Sequence, residues 1–241
     1  MCGRFVQSSP PALLADRFAV DEVALEEEPE PDWNVTPRAV VPTVVQREPD
    51  RRTLEGMRWG LVPSWADSPA VGDRLINARV ESIRDKPAFQ RAFRRRRCLI
   101  PADGFYEWQE VPGRRRKQPV FIHRRDGEPM AFAGLYEVWR ANEDDPWLVT
   151  CTIITTPANA LVAPVHDRMP ALLAEPVWAE WLDRGNDDVD ALASVLVPAP
   201  DDELELWPVR PLVSDPANNG PELVEPLPDD ERDGDGQATL F

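Results

Sequence analysis

Few residues of this 241-residue chain combine a type and a position that could do chemistry, and the first is Cys2. It follows the initiator Met, and a small second side chain permits Met removal, so the mature chain is expected to begin with Cys2. A free N-terminal cysteine is a 1,2-aminothiol. Its α-amine, with a pKa near ~8, and its thiol, near ~8.5, are both available as nucleophiles around neutral pH. With an aldehyde the amine can form a Schiff base, and the thiol can then close a five-membered thiazolidine ring. No internal cysteine can do this. Position alone favours an incidental residue at a mobile terminus. Against that, Cys2 runs straight into Gly3-Arg4-Phe5-Val6, whose apolar side chains can anchor it in a core. Cys98 and Cys151 lie inside apolar runs and read as buried, inert residues.

Three other residues could support such chemistry. Glu107 stands between Tyr106 and Trp108, an environment that raises a carboxyl pKa and suits it to proton transfer near neutral pH. A strand glutamate facing water is an equal alternative. His166 opens His166-Asp167-Arg168-Met169-Pro170 in a stretch rich in loop residues, where an extended backbone would put Arg168 on the same face. A lone histidine is more often structural. Asn77, Arg79 and Glu81 would likewise share one face of a strand. Asn77 could then hold an amine or thiol by hydrogen bonds and Arg79 could take a phosphate, although a solvated polar face is the plainer reading. Three cysteines without CxxC spacing and two isolated histidines, His123 and His166, disfavour a disulfide framework and a zinc site. No metal or cofactor is expected.

The elements that must position these residues are β-rich. The 27 prolines forbid long uninterrupted helices and favour short strands joined by turns. Apolar runs of strand length occupy 40–45, 98–100, 120–123, 130–136 and 147–155, and helical patterns occupy 10–18, with Ser9 as N-cap, 87–96, 175–183 and 189–195. Acidic and proline-rich 22–32 reads as a loop, as do 114–117 and 142–145. The expected fold class is α+β, with mostly antiparallel strands curling into a barrel-like core and a few short helices, in one domain over residues 1–225. Residues 226–241 read as an acidic, disordered tail. No apolar run approaches the roughly 18 residues of a spanning helix, and the N-terminus lacks the regions of a signal peptide. A soluble, cytoplasmic protein with no membrane partner is expected.

A formal net charge of −16 taken alone argues against a nucleic-acid partner. The charge is uneven, however: residues 51–125 are basic, and 16–32 and everything beyond 126 are acidic. A phosphate backbone responds to the local field of one surface, so the global sign decides little. In Trp59-Gly60-Leu61-Val62-Pro63-Ser64-Trp65, Trp59 reads as core and Trp65 as an exposed platform on which single-stranded bases could stack. Arg4, Arg58, Arg79, Arg84 and Arg168 are candidate phosphate contacts, whereas the arginines of 91–97 and of 114–117 read as solvated faces.

The assembled motifs resemble those of the SOS response-associated peptidase (SRAP) family. They are MCGRF at the start, WNVTP at 33–37, MRWGLVPSW at 57–65, INARVES at 76–82, RCLIPADGFYEW at 97–108, FAGLY at 132–136, TIITTPAN at 152–159 and HDRMP at 166–170. They follow the family's order across residues 1–225. The resemblance implies covalent crosslinking to abasic sites in single-stranded DNA, with Cys2 as the nucleophile and Asn77, Glu107 and His166 lining the site. It implies that His166 donates a proton to the deoxyribose ring oxygen, that Asn77 positions the Cys2 amine and thiol, and that Glu107 shuttles protons. Family DNA contacts map onto Arg4, Asn34, Pro37, Trp65, Arg79 and Arg168. The peptidase label implies self-processing that frees Cys2, and the expected state is a monomer that associates with the nucleoid when bound to DNA. Two rival readings are a cysteine hydrolase using Cys2, His166 and Glu107 on amides or peptides, and a non-catalytic single-strand binder.

Overall fold

The computed structural model describes residues 2–228. Their elements in order are β1 (Phe5–Gln7), α1 (Pro11–Arg17), β2 (Glu22–Ala24), β3 (Asp32–Val35), β4 (Val40–Glu48), β5 (Arg51–Trp59), β6 (Asn77–Arg79), α2 (Gln90–Arg95), β7 (Arg97–Ala102), β8 (Gly104–Gln109), β9 (Gln118–Arg124), β10 (Met130–Trp139), β11 (Leu148–Pro157), β12 (Arg168–Pro170), α3 (Trp178–Leu182), α4 (Val189–Ser194) and β13 (Leu204–Pro208). Short 3-10 turns lie between several of them.

Two sheets make the core. In the larger one the order runs β12-β11-β10-β7-β4-β5-β2, and β11 also pairs in parallel with β5, at Thr150 with Arg58 and Cys151 with Trp59. That pairing closes β5, β4, β7, β10 and β11 into a five-stranded barrel, the expected barrel-like core of a single α+β domain. The second sheet, β13-β9-β8-β1-β3, packs against it. Phe5 from β1 meets the Trp59 and Phe132 rings edge-on at 5.1 and 5.9 Å, and Phe105, Val120 and Ile122 join the same apolar cluster.

A second cluster lies on the other face of the barrel strands, beneath the helices. Leu14 of α1, Phe93 of α2, and Trp178 and Trp181 of α3 cover Val44, Leu99 and Leu135 there. Strands such as β7, covered on both faces, are buried throughout, which is why they read as continuous apolar runs. The helices fall at 11–17, 90–95, 178–182 and 189–194, inside the four helical patterns.

Several expectations need correction. Residues 22–24 are not loop: β2 pairs in parallel with β5 as an exposed edge strand. Ser9 does not cap α1, because its hydroxyl donates to the Asp103 carboxylate at 2.5 Å, and Pro10 takes the N-cap position. The 91–97 arginine run is not uniformly solvated. Arg97 is buried and donates to the carbonyls of Phe93, Arg94, Trp181 and Asn186, at 2.6–3.1 Å, as well as that of Asp183. One guanidinium thereby satisfies carbonyls at the ends of α2 and α3, where a cation is also favoured by the helix dipoles. Burial lowers its pKa to about 10, which still leaves it charged.

The chain stays packed beyond 225. Leu227 is buried and its N–H donates to the Pro208 carbonyl at 2.7 Å. Residues 229–241 of the expected tail lie outside the described residues. No helix among the described residues is long and apolar enough to cross a membrane.

Candidate active site

The antiparallel pairing of β1 with β8 delivers Cys2. Phe5 faces Phe105 and Val6 faces Gly104 across the ladder, and the Tyr106 N–H donates to the Arg4 carbonyl at 3.0 Å. Pairing therefore continues past the end of β1 and draws Cys2 alongside Glu107. Gly104 is required here, since a Cβ at that position would lie 2.2 Å from the Phe121 ring. Cys2 is fully buried, with Sγ 3.8 Å from the Arg4 carbonyl. Burial, and then the nearby Glu107 charge, push its thiol pKa well above the usual range, so the resting sulfur is protonated.

Asn77 reaches Cys2 from the barrel. Its side-chain amide donates to the Cys2 carbonyl at 2.8 Å. β6, which carries it, lies parallel to β11, with Asn77 opposite Ile153 and Arg79 opposite Thr155. The Trp59 indole N–H donates to the Ile76 carbonyl at 2.8 Å while its ring packs on Phe5. A single buried side chain thus holds both the strand leading from Cys2 and the residue preceding Asn77.

Glu107 is only 3% exposed. Burial raises its pKa to about 7, and the Asp167 carboxylate adds to the rise. A carboxyl of that pKa exchanges its proton readily near neutrality. His166, half-buried, follows a turn in which its N–H donates to the Val162 carbonyl at 3.0 Å. Its Nδ1 lies 3.0 Å from the Arg168 N–H and 2.9 Å from an Asp167 carboxylate oxygen. The two contacts are mutually exclusive, because Nδ1 accepts in the first and must carry a proton in the second. Burial lowers the His166 pKa, which favours the neutral ring, with Nδ1 accepting and the proton on Nε2. Cys2, Asn77 and Glu107, distant in sequence, therefore come together, and His166 stands next to Asp167, whose charge reaches Glu107. Cys98 and Cys151 are buried, and burial raises both thiols, Cys151 to about 12.

The candidate DNA contacts divide into open and internal groups. Trp65 is 60% exposed on a braced loop, in which Ala66 N–H donates to the Pro63 carbonyl at 2.9 Å and the Trp139 indole donates to the Ala66 carbonyl at 2.7 Å. Arg79 is exposed at the end of β6, and Pro37 is half-buried. Arg4 is half-buried, donating to Asn34 Oδ1 at 2.7 Å and to the Val213 carbonyl at 2.9 Å. Asn34 is buried rather than open: its amide donates to the Asp215 and Asn218 carbonyls at 3.0 and 2.9 Å. Arg168 is also buried, bonded to Glu81 and Thr155. Of the remaining arginines, Arg58 pairs with Asp73 and Arg84 with Asp190. Glu81 does not share a strand face with Asn77, because the chain turns into a 3-10 helix at Val80–Ser82. The anchoring role of Trp59 had no signal in the sequence, since the carbonyl it binds belongs to a remote segment.

Residues 1–216 match the family model described as SOS response associated peptidase (SRAP). The chain belongs to that family. It is 42% identical over 225 residues to the abasic site processing protein YoqW of Bacillus subtilis (strain 168), covering 93% of this chain and 99% of that one. It is 34% identical over 236 residues to the abasic site processing protein YedK of Escherichia coli (strain K12), covering 94% and 100%. Among solved structures, a protein from Bacteroides thetaiotaomicron shares the fold with a TM-score of 0.81 at 24% identity, covering 94% of this SRAP chain and 100% of its own. One from Bordetella bronchiseptica has a TM-score of 0.73 at 25% identity, covering 87% and 100%.

Proposed function

We propose that this chain processes abasic sites in single-stranded DNA by crosslinking to them covalently through an N-terminal Cys2. The observation that carries the reading is the Asn77 amide donating to the Cys2 carbonyl at 2.8 Å inside a buried cluster. A chain terminus is ordinarily left to fray. Holding it beside a carboxyl that titrates near 7 makes sense if the terminus itself reacts.

Hydrolysis of the Met1–Cys2 bond, the self-processing implied by the family description, exposes the α-amine. His166, once protonated on Nδ1 toward the Asp167 carboxylate, donates its Nε2 proton to the deoxyribose ring oxygen as the bond from that oxygen to C1′ breaks, and the C1′ hydroxyl gives up its proton to solvent, leaving an aldehyde. The Cys2 amine adds to the aldehyde carbon, and Glu107 protonates the departing hydroxyl and takes up the proton that the nitrogen gives up, so that water leaves and an imine forms. The Cys2 sulfur then adds to the imine carbon while the thiol proton passes through Glu107 to the nitrogen, closing the thiazolidine. A protonated resting thiol fits an order in which the amine reacts first, and it disfavours the cysteine-hydrolase reading, which needs a thiolate. On the DNA side, Trp65 stacks on a base and Arg79 takes a phosphate, with Arg4 and Pro37 as further contacts. Asn34 holds Arg4 through its side-chain oxygen, and Arg168 is held by Glu81. The names of the YoqW and YedK relatives agree with an abasic-site substrate.

The test is a denaturing gel of untagged protein mixed with an abasic single-stranded oligonucleotide. A heat-stable adduct is expected, lost in Cys2→Ala and when a residue is inserted before Cys2, with intact mass showing a chain that begins at Cys2. An adduct surviving Cys2→Ala at wild-type yield would refute the thiazolidine. Tight binding without any adduct would favour the non-catalytic reading.

A further inference from the structure

Arg168 joins three segments around the site. Its guanidinium pairs with both carboxylate oxygens of Glu81, one at 3.1 Å, and donates to the Thr155 carbonyl at 2.5 Å and hydroxyl at 3.3 Å. Thr155 lies on β11, opposite Arg79 of β6 on one edge and opposite Pro170 of β12 on the other. Glu81 follows β6, the strand that begins with Asn77, and the Arg168 backbone N–H donates to His166 Nδ1 at 3.0 Å. β6 and β12 touch opposite edges of β11, so no ladder hydrogen bond joins one to the other there. The ion pair spans that gap.

We infer that Glu81 is a positioning residue, whose paired contact with Arg168 locks the strand that presents Asn77 to the segment that presents His166. A planar guanidinium held in two parallel hydrogen bonds fixes orientation as well as distance, which a single charge contact would not. Arg168 is buried while Glu81 is exposed, so the pair grips from the inside and presents almost no net positive field outward. Arg79, exposed one strand position before the turn, remains for the phosphate. The role rests on the crosslinking reading above. Its consequence is a division of labour: Glu81 sets the rate of the chemistry, and Arg79 sets affinity.

The test compares Glu81→Gln and Glu81→Ala with wild type in single-turnover crosslinking at saturating abasic single-stranded DNA, alongside binding to the intact strand. Misplacing catalytic groups by about 1 Å can cost about a hundred-fold in rate, so Glu81→Ala is expected to slow adduct formation roughly ten-fold or more. Glu81→Gln, which keeps one acceptor, should fall between, and intact-strand affinity should stay within about two-fold. Arg168→Gln combined with Glu81→Ala should be no slower than the slower single variant, since both break one contact. A ¹⁵N NMR spectrum of the His166 ring, separated from His123 by a His123→Gln variant, should show Nδ1 unprotonated in wild type and a changed tautomer population in Glu81→Ala. If both Glu81 variants bind intact DNA more tightly with steeper salt dependence and crosslink at the wild-type rate, the pair is a charge mask and the inference is overturned. An unchanged His166 spectrum overturns it equally. Should wild type itself form no adduct, the crosslinking reading fails, and the NMR comparison still decides whether Glu81 positions His166.

Discussion

Replacing Glu107 with Gln is expected to stabilise the protein by an amount that grows as pH rises from about 4.5 to about 7 and is constant above. The carboxyl titrates at about 7 in the folded chain against an ordinary 4.5, chiefly because it is buried. A group whose folded pKa is raised binds its proton more tightly folded than unfolded. Its favourable contribution is full below about 4.5 and is lost as pH rises through about 7. A difference of about 2.5 pH units at ~1.36 kcal/mol each amounts to a little over ~3 kcal/mol. The amide keeps the shape and never ionises. At pH 5 the variant should match wild type within ~1 kcal/mol, and by pH 8.5 it should be more stable by about 3 kcal/mol, or roughly 6–12 °C in Tm for a chain of this size. Urea unfolding of both proteins from pH 5 to 8.5, plotted as their difference, isolates this one group because the other titrations cancel. A difference that stays flat across the range would mean that Glu107 ionises as an ordinary carboxyl, and the proton-shuttle assignment would fall with it. The same substitution should slow adduct formation about ten-fold or more, a stability gained at the cost of function.

Other substitutions separate binding, chemistry and scaffold. Trp65→Ala should weaken single-stranded DNA binding by about 1–3 kcal/mol in fluorescence anisotropy and leave Tm unchanged, because the ring is exposed. Arg79→Ala should lower the slope of log affinity against log salt by about one, and an unchanged slope would remove it from the phosphate contacts. His166→Ala should hold intact-strand affinity within a few-fold and slow single-turnover crosslinking about ten-fold or more; a wild-type rate would make the residue structural. Trp59→Phe removes the hydrogen bond to the Ile76 carbonyl and should cost about 1–3 kcal/mol in urea unfolding. It should also slow crosslinking by loosening Asn77, and a loss of stability without a loss of rate would confine Trp59 to the core.

Much of the scaffold was legible because barrel strands covered on both faces leave an uninterrupted apolar signal, as in 98–100, 130–136 and 147–155. β5 was not legible. Its buried residues Leu54, Met57 and Trp59 divide between the two faces, Leu54 under the helices and the other two in the inner cluster, among arginines and a glutamate. Neither the alternating nor the continuous pattern survives that division. Arg97 was misread for a related reason: a run of arginines looks solvated until the carbonyl ends of two helices are brought around one member of it.

For the candidate site, residue type made Cys2, Asn77, Glu107 and His166 candidates and the family resemblance grouped them, since an aminothiol, an amide, a carboxyl between aromatics and a histidine each carry their chemistry in their covalent structure. Their protonation states and partners came only from the fold. Desolvation depends on what surrounds a group in three dimensions, and it moves Glu107 to about 7 and lowers His166. The same holds for Asn34 and Arg168, whose types suit phosphate contact but whose hydrogen bonds turn inward to the Asp215 carbonyl and to Glu81. A sequence specifies which groups can react or bind. Which of them face solvent, and at what pH they exchange protons, depends on burial and on neighbours that only long-range packing brings together.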